Sequence, residues 1–307
     1  MRVVFFGTPA FAVPSLQGLL DNQLEVVMVV TQPDRARGRS RSTLLPPPVK
    51  ELALAHGIAV LQPERPTGDE FLAALRGAAP DLGIVVAYGH ILKPAVLLVP
   101  RLGMINVHAS LLPALRGAAP IAWSILRGDA RTGVTIMQME AGLDSGPILH
   151  QVETAIGPDE TAGELTERLA KVGAGALVDC LATIREGRAA PIPQDHARAT
   201  FAPKIDRSLA RIMWTESAAA VADRVRAFDP APGAWTTAGS LEVKCFRPRT
   251  TDDRGEPGLV LRAADELVIG AGAGAVAIAE VQPAGKPRMA AADWVHGRGI
   301  AVGARFT

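Results

Sequence analysis

Residues 106–120 read N-V-H-A-S-L-L-P-A-L-R-G-A-A-P, and the apolar run 103–107 leads into them. That run is short and apolar throughout, which is typical of a buried strand in a parallel sheet. Asn106 and His108 are two residues apart, so on an extended backbone their side chains point to the same face. Open α/β sheets bind ligands at the carboxyl ends of their strands, where these two polar groups stand. The alternative is an asparagine that ends the strand and a core histidine with satisfied hydrogen bonds.

Strands and helices alternate through the first 186 residues. We predict strands over 2–6, 25–30, 59–61, 81–87, 103–107, 134–139 and 148–152. Helices are predicted after the first strand and over 48–56, 69–76, 121–126 and 161–186. Thr161 and Glu164 have the spacing of a capping box at the start of the last helix. The alternation predicts one α/β domain, doubly wound around a mostly parallel sheet.

A nicotinamide cofactor is disfavoured. Gly7 follows the first strand alone, without the second and third glycines of the dinucleotide fingerprint. The chain also lacks the lysine of a Walker phosphate loop.

Composition and charge narrow the class of protein. The 307 residues are enough for two domains, and shares of 48% hydrophobic and 21% charged residues are those of a soluble globular protein. The net charge of +1 means that a nucleic acid would have to be held by a local patch. Cys180 and Cys245 stand apart from other ligand types, which predicts no metal site and a reducing compartment. No apolar run reaches membrane-spanning length and the first strand starts at Arg2, so we expect a cytoplasmic protein, and we expect a monomer.

An arginine-rich insert follows the second strand, at residues 32–48. Its basic residues are Arg35, Arg37, Arg39 and Arg41. The only acid beside them is Asp34, and the intervening glycine and serines cannot pack a core, so we expect an exposed, mobile loop. Such spacing suits phosphate contacts. A plain solvated loop explains the pattern equally well.

The composition and the pattern of predicted elements change in the carboxyl-terminal third. Residues 187–205 are rich in proline and small polar residues, which predicts a linker. Residues 206–307 then contain one helical pattern, over 217–228, and short strand-like runs separated by glycine and proline. The runs cover 241–246, 258–262, 266–269 and 276–281. This pattern is typical of a small barrel.

A third polar residue, Asp144, lies in the glycine-rich turn 142–146 between two predicted strands. On its own it would be a turn aspartate that bonds its own backbone. In a parallel sheet, however, this turn would lie at the edge where the Asn106 strand ends. The trio would then suit acyl transfer to an amine, with His108 taking a proton, a carboxylate orienting it, and an amide donating to the oxyanion. The sequence has no serine or cysteine in the strand–turn–helix motif that carries a catalytic nucleophile, which argues against a covalent acyl-enzyme.

Taken together, these motifs resemble the methionyl-tRNA formyltransferases over nearly the full chain. The matching stretches are Phe5 to Pro9, Gln32 to Arg35, Pro48 to Lys50, Asn106 to His108, Ser110 to Pro113, Arg116-Gly117, Pro120-Ile121, Leu143 to Gly146, Arg226 to Phe228, Pro232 to Trp235 and Gln282 to Lys286. The Asn–His–Ser-Leu-Leu-Pro–Asp set is shared by enzymes that use 10-formyltetrahydrofolate, and so identifies the reaction. The arginine insert and the carboxyl-terminal domain single out the tRNA enzyme.

The resemblance implies a Rossmann-like domain followed by an OB-like barrel, and formyl transfer from 10-formyltetrahydrofolate to methionyl initiator tRNA. Asn106, His108 and Asp144 match the family's catalytic trio. The residues that it implies for folate binding are Tyr88, Gly89, Ile91, Ser110, Leu111, Leu112 and Pro113. Those that it implies for tRNA binding are Arg35, Arg37, Arg39 and Arg41. The chain departs from the family where relatives commonly carry lysines and it has Arg39-Ser40-Arg41-Ser42-Thr43, and where Ala109 replaces a frequent proline.

Three other classes of protein fit the motifs less well. A pure RNA-binding protein has no need of Asn, His and Asp at one sheet edge. A formyltransferase for a small amine, such as an amino sugar or a purine precursor, would share the core but has no use for the arginine insert. A dehydrogenase would carry the second and third glycines of the dinucleotide fingerprint, which are missing from this chain.

Overall fold

The computed structural model describes residues 1–36 and 44–307, so Arg37, Arg39 and Arg41 lie outside the described residues. The chain divides into two units. The first consists of residues 1–117, 133–154 and 166–201, and the second of residues 118–132, 155–165 and 202–307.

The strands described before residue 156 are nine in number. They are β1 (Arg2–Gly7), β2 (Glu25–Val30), β3 (Arg35–Ala36), β4 (Leu44–Leu45), β5 (Val60–Leu61), β6 (Leu82–Val86), β7 (Met104–His108), β8 (Arg131–Gln138) and β9 (Ile148–Ala155). The helices before the carboxyl-terminal third are α1 (Val13–Asp21), α2 (Pro48–Ala55), α3 (Asp69–Gly77), α4 (Pro94–Leu97), α5 (Pro120–Leu126) and α6 (Ala162–Arg185). The predicted alternation is confirmed, while α4 and the two-stranded pair of β3 and β4 were not predicted.

The central sheet has the order β5-β2-β1-β6-β7-β8-β9. The pairs from β5 to β7 are parallel, as the continuous apolar runs predicted. β6 is buried at every position and β1 at all but its first. Side chains such as Phe6 and Val85 pack in the apolar core beside this sheet, where each fully buried large apolar side chain contributes about 1.5–3 kcal/mol.

One strand direction differs from the expectation. β8 runs antiparallel to β7, with Gln138 opposite Ile105 and Thr135 opposite His108. The turn after β8 therefore leaves the sheet near the start of β7, where the Met139 N–H donates to the Met104 carbonyl (2.8 Å). The prediction that a parallel strand would bring this turn to the edge where β7 ends is wrong.

The capping box at α6 is confirmed. The Thr161 N–H donates to Glu164 Oε2 (2.9 Å), and the Glu164 N–H donates to Thr161 Oγ1 (3.3 Å). The helix ends at Arg185, and Gly187 follows at φ +68°, a conformation that favours glycine and commonly terminates helices.

The second unit contains a six-stranded antiparallel sheet. Its helices and strands after residue 201 are α7 (Ala218–Ala227), β10 (Ala234–Ala238), β11 (Leu241–Thr251), β12 (Val260–Ala263), β13 (Leu267–Gly270), β14 (Ala275–Pro283), β15 (Met289–Ala290) and α8 (Ala291–His296). The strands follow the order β10-β11-β14-β13-β12, and β15 pairs with β14. Residues 305–307 join the two ends of this order, because Phe306 pairs with Ala238 and Arg305 with Leu259. This closure is what an OB-like barrel requires, and it confirms the predicted small β domain.

Residues 187–201, predicted as the first part of a linker, group with the first unit. Ile192 and Ile148 exchange two backbone hydrogen bonds of 2.8 Å, and the Arg116 N–H donates to the Thr200 carbonyl (2.9 Å). This segment therefore packs on the sheet unit, and the division into domains at residues 186 and 205 stays a prediction. Within the described part of the chain, no helix has both the length and the apolarity to cross a membrane.

Candidate active site

His108 is the most constrained polar side chain at the end of β7. It is 5% exposed, and its Nε2 lies 3.0 Å from the Leu115 carbonyl oxygen. A carbonyl oxygen can only accept, so Nε2 of the neutral ring carries the proton and Nδ1 keeps its lone pair. The fold thus fixes one tautomer, in which Nδ1 is the atom able to take a proton.

The carboxylate of Asp144 lies on the Nδ1 side of this ring. Asp144 Oδ2 is 3.8 Å from Nδ1, beyond hydrogen-bond length but within ion-pair range, and accepts the Gly117 N–H at 2.8 Å. Its side chain is 17% exposed. The carboxylate is therefore held by another segment rather than by its own backbone, and an imidazolium formed by protonation of Nδ1 would face a fixed negative charge.

Asn106 is the third member of the predicted trio. It lies two residues before His108 on β7 and is half-buried. Among the described residues its side-chain amide has no hydrogen-bond partner, so its N–H groups are free to donate to a substrate oxygen. The structure brings His108 and Asp144 together and leaves Asn106 on the same strand face with an unused donor.

Side chains of β8 and β9 form hydrogen bonds with the backbone of residues 110–113, part of the predicted folate site. Thr135 Oγ1 donates to the Ser110 carbonyl (2.6 Å) and accepts the Leu112 N–H (3.1 Å). Gln151 Nε2 donates to the Leu112 carbonyl and to Thr135 Oγ1, both at 2.9 Å. The backbone of this segment is rigid because Thr135 and Gln151 satisfy it, and neither residue was singled out from the sequence.

The residues at 88–91 occupy different environments. The Tyr88 ring packs edge-on against Phe6 in the core, with 5.4 Å between centroids, and burial raises the pKa of its phenol to about 12. Its carbonyl oxygen accepts from Thr8 Oγ1 and from Gln32 Nε2, both at 3.0 Å. Ile91, in contrast, is 89% exposed. Tyr88 can therefore wall a ligand only through its backbone, whereas Ile91 offers apolar surface.

A hydrogen-bonded ion pair lies at the ends of the arginine insert. Asp34 accepts two bonds from Lys50 Nζ (2.8 and 2.7 Å) and one from Gln62 Nε2 (2.7 Å), and these bonds lower the pKa of its carboxyl group, Gln62 first. Asp34 lies near the start of the insert and Lys50 follows its end in α2, so this ion pair joins the two ends of the insert. Arg35 is exposed beside Leu45 in the β3–β4 pair.

A buried arginine and glutamine form a further part of the site that sequence reasoning missed. Arg116 donates to Gln194 Oε1 from Nε (3.1 Å) and from a terminal nitrogen (2.6 Å). Gln194 Nε2 donates to the carbonyls of Asp144 (3.0 Å) and Gly146 (2.7 Å). Gln194 stands alone among prolines and small residues, so no spacing signal marked it.

Fold and site together define an enzyme suited to acyl transfer to an amine, and comparison with known proteins identifies the family. A family model described as "Formyl transferase" matches residues 1–181, and one described as "Formyl transferase, C-terminal domain" matches residues 204–299. The methionyl-tRNA formyltransferase of Aromatoleum aromaticum is 46% identical over 307 residues, which cover 100% of this chain and 97% of that protein. That of Geotalea daltonii is 44% identical, with coverage of 100% and 98%. The chain belongs to the formyltransferase family, among its methionyl-tRNA formyltransferases.

Solved structures share the fold at lower identity. The sugar 3N-formyl transferase WlaRD superimposes with a TM-score of 0.70 at 18% identity, covering 94% of this chain and 99% of that one. HypX from Aquifex aeolicus, solved with tetrahydrofolic acid, gives a TM-score of 0.68 at 19% identity, covering 98% of this chain and 48% of that one.

Proposed function

We propose that this chain transfers the formyl group of 10-formyltetrahydrofolate to the α-amine of methionyl initiator tRNA, with Asn106, His108 and Asp144 as the reacting groups of the protein. The observation that carries these roles is the fixed tautomer of His108. Its Nε2–H is committed to a carbonyl, and its free Nδ1 faces a carboxylate.

Each residue of the trio has one task. The α-amine of an aminoacyl ester titrates near neutrality, about 7.7–8.0 for a free amino terminus, so His108 needs to remove only one proton as the amine attacks the formyl carbon. Nδ1 takes that proton, and Asp144 stabilises the resulting imidazolium. Asn106 donates to the formyl oxygen as it gains charge, an interaction worth about 3–4 kcal/mol where comparable donors have been removed. The imidazolium then returns this proton to the folate nitrogen as the carbon–nitrogen bond to the formyl group breaks, and tetrahydrofolate leaves.

The donor fits the surface next to the trio. The backbone between Ser110 and Pro113 is held by internal hydrogen bonds, so its shape is set before a ligand arrives. Ile91 is exposed in the segment that we assign to the pteridine, where an apolar side chain favours a flat ring. The HypX structure with tetrahydrofolic acid is consistent with a folate on this fold.

The tRNA partner is supported by charge placement. A net charge of +1 gives no global attraction, so the arginines of the insert must supply a local one. Arg35 is exposed, and the ion pair between Asp34 and Lys50 joins the described residues on either side of positions 37–43. We assign Arg35, Arg37, Arg39 and Arg41 to the acceptor end of the tRNA. A small amine substrate, the alternative, leaves these arginines without a role.

One assay tests the function. Methionyl initiator tRNA and methionyl elongator tRNA are incubated with the protein, with and without 10-formyltetrahydrofolate, and formylmethionyl-tRNA is measured. We expect donor-dependent product from the initiator tRNA and far less from the elongator. Formylation of an amino sugar in preference to the tRNA would overturn the assignment.

A further inference from the structure

β8, the strand that precedes the turn containing Asp144, does not by itself bring Asp144 to His108. The turn leaves β8 beside Ile105, and three strand residues, about 10 Å, separate that level from His108. The turn then returns to β8, since the Gln138 N–H donates to the Pro147 carbonyl (2.9 Å). Some other contact must hold Asp144 at the histidine, at a backbone φ of +46° that is uncommon for an aspartate.

Gln194 supplies that contact from another segment. Its amide nitrogen donates to the carbonyls of Asp144 and Gly146, on both sides of Ser145. Gln194 is 6% exposed, and the two bonds that it donates use the full donor capacity of its amide. The turn is thus fastened through its backbone, and the Asp144 carboxylate stays free for Gly117 and His108.

Arg116 fixes the direction in which this amide points. Its guanidinium, also 6% exposed, can only donate, so the oxygen of Gln194 must face it and the nitrogen must face the two carbonyls. Arg116 itself lies between two residues that touch the trio. The Leu115 carbonyl bonds His108, and the Gly117 N–H bonds Asp144. Arg116 and Gln194 therefore join the histidine side of the site to the aspartate side.

We propose that Gln194 is a positioning residue for Asp144, and that it sets the distance between the carboxylate and His108 Nδ1. The proposal rests on formyl transfer as the activity. It gives residues 187–201 a role in the chemistry beyond that of a connection between domains.

Gln194→Glu separates the two halves of the clamp that Arg116 and Gln194 form. Glutamate keeps an acceptor for Arg116 but replaces the donor nitrogen by an oxygen that repels the carbonyls of Asp144 and Gly146. We expect kcat to fall by at least about tenfold with the KM for the folate donor changed by less than about twofold, because transition-state interactions are weakened while donor binding is kept.

The double variant Gln194→Glu/Asp144→Asn is the decisive measurement. If Gln194 acts through Asp144, the double variant is no slower than Asp144→Asn alone, within about twofold. Independent effects that multiply, or a kcat of Gln194→Glu close to the wild-type value, would overturn the proposal.

Asp195→Asn is the matched control, since the side chain of this exposed neighbour accepts the Ala197 N–H in its own turn and its substitution should leave kcat unchanged. Should Gln194→Glu fail to fold, Gln194→Met, of the same length, removes both the donor to the turn and the acceptor for Arg116, and its double variant with Asp144→Asn is compared with Asp144→Asn in the same way. A wild-type protein without transferase activity in this assay would count against the proposed function, whereas active wild type with unaffected Gln194 variants would count against the clamp alone.

Discussion

At the scale of single residues, Asn106 and His108 offer the most direct test. His108→Ala removes the atom that we propose to take the proton, and Asn106→Ala removes the proposed donor to the developing oxyanion. We expect each to lower kcat by at least about a hundredfold, with melting temperature little changed for the half-buried Asn106. Steady-state formylation on saturating substrates, beside thermal unfolding, measures both. Near wild-type turnover in either variant would remove that residue from the chemistry.

Asp144→Asn changes charge without changing size. The variant keeps an oxygen for the Gly117 N–H (2.8 Å in the wild type) but cannot balance the imidazolium. We expect a lower kcat, because an imidazolium formed at Nδ1 would no longer face a negative charge. Single-turnover formylation measures this effect. Full activity would return Asp144 to the role of an ordinary turn residue.

Residue spacing revealed only part of this site. Asn106 and His108 were predictable because two neighbours on one strand share a face, which a sequence pattern records directly. Gln194 was not predictable, because its partners Arg116 and Asp144 are 78 and 50 residues away. Pairings at that range depend on how segments pack, and no local periodicity encodes them.

At the scale of elements, the start of α6 carries a pH-dependent interaction. The Thr161 N–H and then Arg247 stabilise the Glu164 carboxylate and lower its pKa from 4.5 to about 2. A depressed pKa gives stability that is present above about pH 4.5 and is lost as pH falls toward 2. Because the side chain is 45% exposed, screening limits the contribution to about 0.5–1 kcal/mol.

Glu164→Gln should therefore lower the free energy of unfolding at pH 7 and have little effect near pH 2.5. Glutamine can still accept from Thr161 but has no charge for Arg247. Urea unfolding at the two pH values measures the difference. The control is Glu167→Gln, an exposed position on the same helix. Equal destabilisation at both pH values would show that the charge of Glu164 has no role.

Element positions were easier to predict than element directions. The apolar runs located β1, β6 and β7, and the Thr161–Glu164 spacing located the start of α6. The antiparallel direction of β8 was missed because alternation and apolarity read the same in either direction along a strand. β10 was missed too, since its short Ala-Trp-Thr-Thr-Ala run has little periodicity, and its pairing with β11 and with residues 306–307 defines it.

At the scale of the whole molecule, a chain with a net charge of +1 has to recognise a polyanion through a local cluster of positive charge. Substitutions in the arginine insert test whether that cluster lies there. Replacing Arg37, Arg39 and Arg41 by alanine changes the net charge from +1 to −2. We expect a melting temperature close to the wild-type value, because residues 37–43 read R-G-R-S-R-S-T and include no apolar side chain that could join a core. Binding of methionyl-tRNA should weaken, and its salt dependence should flatten by about 0.9 in logarithmic slope for each duplex phosphate that an arginine no longer neutralises. Affinity for the folate donor should not change, because we assign the donor to residues 88–91 and 110–113.

The control for that experiment removes the same charge from other surfaces. Arg65, Arg76 and Arg101 are exposed on other segments of the first unit, and their triple alanine variant also has a net charge of −2. If recognition is local, this variant keeps the wild-type salt slope while the insert variant does not. Equal weakening in both would mean that total charge governs binding. Superimposable curves for wild type and the insert variant would mean that the insert is only solvated surface, and that the tRNA is recognised by residues 202–307 instead.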